Sequence, residues 1–492
     1  MGLVRRRGGA HETGAIQTLG FKRLKVTYKN NPTGRLYMSD NSFSAQADAV
    51  RTGGSGLALA VTYVTALFFI WALVTNLLDP LLKTMKTVFT LTPVESMLTG
   101  FAFFLAYFVV SLPSAAFLSR FGYAKSIMVG LGGIVAGCLI AIVAAKVHVY
   151  LVFLAALFIM ASGVTLLQVA ANPLIASMGS PENSAFRLNL SQSFNSLGAA
   201  CGLFFGASFL LNGDIFKRDV VITDLMREEA LGFVTNVYLA IGLALTLFIL
   251  AIWLVRDRIT AAAPRTGQLV SPFTALTSKW ANLGSVGIFL YVGAEVAISL
   301  NLLLYLEQAN ILNIEAQSAG HLTTFYMLFA MIGRFAGSVL LKVVKDYAML
   351  ATVAVGAIGL CLVVVLTKDM LPSAPSGMID VVLTSVPNTT GLIPAFAALL
   401  IGLFNSIMFP TIFTLTLQRS TAPTSATSGL LCLAIVGGAI LPLVFAKIEE
   451  VTGSKSLAFI APLLCYVYVL WFAVAARKAP THAIEESVGH GH

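Results

Sequence analysis

The chain has 492 residues, of which 57% are hydrophobic and only 11% charged, with a mean hydropathy of +0.86. Soluble domains carry about 25% charged residues, so the surface cannot be water-exposed throughout and the class is a polytopic membrane protein. The same composition excludes intrinsic disorder over the bulk of the chain and a disulfide scaffold. The formal net charge of +9 reads as a topology signal rather than a nucleic-acid patch.

Residues 1–56 are polar and basic, with Arg5, Arg6, Arg7, Lys22, Arg23 and Lys25, and hold no apolar core of a signal peptide. They read as a disordered cytoplasmic arm. Twelve apolar stretches follow, each near the 20 residues that a bilayer-crossing helix needs. The expected spans are 57–82, 96–119, 126–145, 148–178, 185–211, 232–255, 283–306, 318–341, 348–367, 392–417, 426–446 and 457–476. With both termini placed in the cytoplasm, the inner side collects most of the 31 Lys and Arg residues, as the positive-inside rule requires.

In the first span, Asn76 and Asp79 share one helix face by three-residue spacing. Pro80 has no N–H for the Asn76 carbonyl and kinks the helix there. An amide, a carboxylate and a freed carbonyl can then gather at one point, able to bind hydroxyls and a proton or cation; the alternative is a capped, solvated Asp79 at the end of a shorter span. The third span carries Gly130, Gly132, Gly133 and Gly137, read as close helix packing rather than a phosphate loop. The fourth carries Gln168 and Asn172 on one face, with Pro173 freeing the Val169 carbonyl. The fifth carries Asn189, Gln192 and Asn195 at three-residue spacing. Amides offer donors and acceptors without charge, which suits sugar hydroxyls; as a rival reading, they are glue between helices.

The connection 257–281 divides the spans six and six, giving expected units 57–256 and 282–477, with a tail at 478–492. Glu295 in the seventh span reads either as a second protonatable group or as a buried neutral acid. Arg334 in the eighth reads as a snorkelling or structurally paired cation. Charges at such depth cost about 2.5–3.5 kcal/mol each at the bilayer centre and are functional candidates by default. An echo links the halves: Gln168-Val-Ala-Ala-Asn-Pro173 and Asn405-Ser-Ile-Met-Phe-Pro410 both place an amide five residues before a proline. Such parallel repeats build one class of secondary transporter. Cys138, Cys201, Cys361, Cys432 and Cys465 sit in apolar runs and read as packing residues. No catalytic, metal or cofactor constellation is apparent, so an enzyme is not expected.

Phe68-Phe69-Ile-Trp71, Asn76-Leu-Leu-Asp79-Pro80, Ala170-Ala-Asn172-Pro173 and Phe186-Arg-Leu-Asn-Leu-Ser-Gln192-Ser-Phe-Asn195 together resemble the fucose–proton symporter family of the major facilitator superfamily. Gln168, where fucose symporters carry a carboxylate, and Val292-Gly-Ala-Glu295 are more similar to the bacterial glucose/galactose transporter branch. The resemblance implies an all-α integral membrane protein of twelve helices in two six-helix pseudo-repeats. It implies Asp79 as the protonatable acid and Asn76, Gln192 and Asn195 as lining the sugar cavity. The expectation is a hexose importer of the glucose/galactose type, working by proton symport and alternating access in a bacterial inner membrane, as a monomer by analogy of fold. Asp79 and Glu295 would couple the proton, while Asn76, Gln168, Asn172, Gln192 and Asn195 hold hydroxyls. Trp71 or Tyr291 would stack on the sugar ring, and Pro80, Pro173, Pro410 and Arg334 would serve structure and gating. Sodium-coupled or uncoupled sugar carriage, multidrug export and a non-transporting sugar sensor are the rival readings.

Overall fold

The structure is a computed structural model that describes residues 28–30, 36–38, 58–76, 93–147, 149–210, 223–264, 266, 269–314, 316–367, 379–381, 384–386, 391–482 and 484. Residues 1–60 form one compact unit and residues 61–492 another. In the first unit, β1 (Tyr28–Asn30) pairs antiparallel with β2 (Leu36–Met38), Tyr28 lying opposite Met38. A strand pair was not expected in that arm.

The helices are α1 (Ala58–Asn76), α2 (Pro93–Phe121), α3 (Tyr123–Val147), α4 (Tyr150–Ser177), α5 (Ser184–Leu210) and α6 (Asp224–Ala262). The second set comprises α7 (Lys279–Leu306), α8 (Ala316–Leu340), α9 (Asp346–Leu366), α10 (Leu392–Asn405), α11 (Met408–Leu417), α12 (Thr424–Leu433), α13 (Gly437–Thr452), α14 (Lys455–Ala458) and α15 (Ile460–Ala476). Between α9 and α10, β3 (Ile379–Val381) pairs with β4 (Thr384–Val386). Among the described residues, eleven helical stretches are long and apolar enough to cross a membrane. The remaining expected span is the fifth, α5, 27 residues long, whose first turns carry the amides.

Three expected spans are broken rather than continuous. α10 and α11 make the tenth, α12 and α13 the eleventh, and α14 and α15 the twelfth. The sixth, in contrast, is longer than expected: α6 runs 39 residues to Ala262 and takes Arg256 and Arg258 into the helix. Much of the 257–281 connection is therefore ordered. It ends in a 3₁₀ turn at Pro272–Thr277, and the Val270 N–H donates to Ser119 Oγ of α2 at 3.1 Å.

The helix pairings repeat with a displacement of six spans. α4 packs on α2 and α3, and α6 on α3; correspondingly α10 packs on α8 and α9, and α15 on α9. α3 approaches α4 closely because Gly130, Gly133 and Gly137 face Gly163, Ala156 and Met160. A Cβ at Gly130 or Gly137 would collide with backbone carbonyls there, which identifies this glycine run as a packing surface; Gly132 faces open space. The two sets meet along α2 with α12 and along α5 with α8 and α11.

Candidate functional site

The first wall of the site is α1 laid directly on α5. Gly198 and Gly202, one helical turn apart, face the carbonyls of Phe69 and Leu73 so closely that a Cβ would not fit. Beside this ladder, Asn195 Nδ2 donates to the Phe68 carbonyl at 3.1 Å, and Thr65 Oγ1 and Ser191 Oγ lie 3.1 Å apart. Asn195 thus commits one N–H to joining helices, as the glue reading anticipates for part of the stripe. Asn76 closes the described part of α1, its Nδ2 donating to the Ala72 carbonyl at 2.8 Å. Trp71 is buried, with its ring 4.6 Å from that of Phe68. Asp79 and Pro80 lie outside the described residues.

The second wall is α4. Gln168 Nε2 donates to the hydroxyl of Tyr107 on α2 at 2.5 Å. One turn on, Asn172 is fully buried and its Oδ1 accepts from Gln192 Nε2 of α5 at 3.3 Å. The Asn172 Nδ2 has no partner among the described residues, and a buried amide of that kind is an expensive feature unless a ligand meets it. Pro173 gives no N–H to the Val169 carbonyl; Ser428 Oγ of α12 donates to that oxygen instead, at 2.7 Å. α4 therefore stays one 28-residue helix through its proline.

The third wall belongs to the last six spans. Arg334 of α8 reaches three elements at once. Its Nη2 lies 3.8 Å from Glu295 Oε1 of α7. Its Nε donates to the Ser406 carbonyl at 2.9 Å, the oxygen that Pro410 leaves without its helical donor. Its Nη1 donates to Ser196 Oγ of α5 at 2.5 Å, crossing between the two sets of helices. Glu295 and Arg334 keep 26% and 16% of their side-chain surface open, unlike the sealed residues around them. Tyr291, one turn from Glu295, is fully buried and donates to the Asn405 carbonyl at 2.9 Å. Asn405 Nδ2 in turn donates to the Tyr326 hydroxyl at 2.9 Å.

Further cross-set bonds lie toward the end that carries the α4–α5 turn. Asn189 Nδ2 donates to Thr411 Oγ1 at 3.2 Å, and Gln418 Nε2 to the Pro181 carbonyl at 3.3 Å. The rings of Phe194 and Phe335 meet edge-on with centroids 6.1 Å apart. At the same end Arg187 donates to the Ile175, Ala176 and Ser180 carbonyls and so caps α4. Arg419, 4% exposed, caps α15 through the Ala476 carbonyl at 2.9 Å. Burial pushes its guanidinium below the usual arginine range, and the Asp346 carboxylate partly offsets this.

Gln168, Asn172 and Gln192 are thus brought together on α4 and α5, and Glu295 with Arg334 on α7 and α8. Trp71 and Tyr291 sit in packed surroundings. Sequence reasoning overlooked Tyr107, Tyr326, Ser196, Thr411 and Ser428. A hydroxyl inside an apolar span carries no local pattern, and only the proline spacing hinted that donors would be needed.

The family described as Major Facilitator Superfamily matches residues 64–442. A glucose/galactose transporter of Brucella abortus is 38% identical over 420 residues, covering 85% of this chain and 94% of the relative. A putative glucose/galactose transporter of Helicobacter pylori is 34% identical over 424 residues, covering 85% and 97%. Among solved structures, the transporter FucP in the outward conformation superposes with a TM-score of 0.72 at 27% identity, covering 86% of this chain and 99% of that one.

Proposed function

Because the chain belongs to the major facilitator superfamily, we propose that it imports a hexose of the glucose/galactose type by proton symport with alternating access. Two relatives above 30% identity bear glucose/galactose transporter names, and a more distant one is an Escherichia coli L-fucose-proton symporter. The observation that carries the mechanism is Arg334, which bridges the Glu295 carboxylate and Ser196 of the opposite helix set. A proton on Glu295 removes the charge that holds Arg334 on its own side, and so changes the link between the sets. Asp79 takes the first proton from outside, and neutral carboxylates cross the occluded state without the cost of a buried charge. Gln168, Asn172 and Gln192 hold sugar hydroxyls, with Asn76 and Asn195 beside them. The sugar drives the switch only through its preference for the occluded state.

In this reading 57–256 and 282–477 are the moving halves and 257–281 the strap between them. The carrier is a monomer in a bacterial inner membrane with both termini in the cytoplasm. The bonded end at Pro181 and Gln418 is then cytoplasmic, so that the carrier faces outward.

The test is uptake of radiolabelled glucose into proteoliposomes under an inward proton gradient without sodium. Accumulation that a protonophore abolishes is the expected result, together with rates that rise as external pH falls. Asp79→Asn should lose accumulation and keep sugar exchange. Rapid counterflow without accumulation would transfer the coupling to sodium or remove it, and absence of both would overturn the hexose assignment.

A further inference from the structure

The two proline-bearing spans carry the same side-chain device. In α4 the amide five residues before Pro173 donates to a phenol on the second span, Gln168 to Tyr107. In α10 the amide five residues before Pro410 donates to a phenol on the eighth span, Asn405 to Tyr326. The spans correspond under the six-helix repeat, so the pair is built twice. The surroundings differ, however. Asn405 is 0% and Tyr326 2% exposed, sealing that pair inside the protein. Tyr107 is equally buried at 2%, but Gln168 is only half-buried.

A carboxamide has two ends of nearly the same shape and opposite hydrogen bonding. The last torsion of a glutamine is broad and lets the ends exchange. With its nitrogen held by the phenol, Gln168 keeps its carbonyl oxygen for whatever approaches its open side. We propose that Tyr107 is a positioning residue for sugar selection. It fixes the Gln168 amide so that an acceptor meets a sugar hydroxyl, and thereby contributes to discrimination between hexose epimers. This rests on the hexose-carrier reading, with Gln168 as a sugar contact. Tyr326 is the internal control, since its amide partner is 0% exposed whereas Gln168 keeps an open side.

The experiment measures uptake by reconstituted wild type, Tyr107→Phe, Gln168→Ala, the double variant and Tyr326→Phe, with thermal melting of each. Loss of one hydrogen bond corresponds to about a fivefold change in affinity. Tyr107→Phe should therefore raise the apparent KM for glucose about fivefold, leave the maximal rate, and narrow the preference between glucose and galactose. The double variant should match Gln168→Ala alone, because the phenol acts only through the amide. Tyr326→Phe should lower the melting temperature and shift KM less than Tyr107→Phe does. A wild-type KM in Tyr107→Phe overturns the proposal, as does a further loss in the double variant or an equal KM shift in Tyr326→Phe. If Gln168→Ala transports normally, the sugar contact itself fails and the proposal with it. If that variant is impaired while Tyr107→Phe is not, the contact stands and the positioning role falls. Should Tyr107→Phe not fold, Gln168→Glu decides: it has no donor end to misplace, so a near wild-type KM supports the proposal and a rise above about tenfold overturns it.

Discussion

Pro173 and Pro410 occupy matching places in the two repeats, yet α4 continues unbroken past its proline while the tenth span breaks at Ser406–Ile407. Each proline leaves one carbonyl without its helical donor. At Pro173 the replacement donor is Ser428, from the opposite helix set. At Pro410 two carbonyls, Asn405 and Ser406, take donors from Tyr291 and Arg334 of their own set. A proline therefore does not dictate a break; the donors that neighbours can deliver decide it. One proline is tied across the seam between the two helix sets, and the other is bolted within its own set.

Arg334→Ala is the strongest way to break this comparison. It strands the Ser406 carbonyl and leaves the partly open Glu295 without its cation, and since orphaning one member of a fully buried pair costs about 3–5 kcal/mol, the cost here falls below that range. Melting in detergent should show a large fall, partly recovered when Glu295→Gln removes the orphan charge. An equal fall in the double variant would mean that the pair contributes nothing through its charge. Tyr291→Phe leaves the buried Asn405 carbonyl unpaired and should cost about 1–3 kcal/mol, again read by melting. An unchanged melt would mean that the break supports itself. Ser428→Ala should have the smallest effect on stability, about 1 kcal/mol. That loss falls on the conformation described here alone, so thiol labelling of single cysteines at the two ends should shift toward the opposite-facing state. Labelling that stays put would place the Val169 bond outside the conformational change.

Much of the fold could be read from apolarity, since each span must satisfy its own backbone in lipid. The amide stripe of α5 and the proline echo were equally visible, because both are local spacings. What could not be read is which groups answer them. Ser428 reaches Val169 across 259 residues of sequence, and Tyr107 is one aromatic among 13 tyrosines and 33 phenylalanines. The length of α6 was hidden for a different reason. Arg256 and Arg258 look like the end of a span, but a helix can continue past the bilayer once it reaches water.

The glycine ladder between α1 and α5 has a mechanical consequence. With Gly198 and Gly202 seated against the Phe69 and Leu73 carbonyls, no side chains stand between the two backbones to flex or roll. The joint behaves as a keyed shaft: it transmits rotation and refuses slip. Groups mounted on the two helices, among them Asn76 and Gln192, then keep a constant spacing whenever α1 and α5 move together.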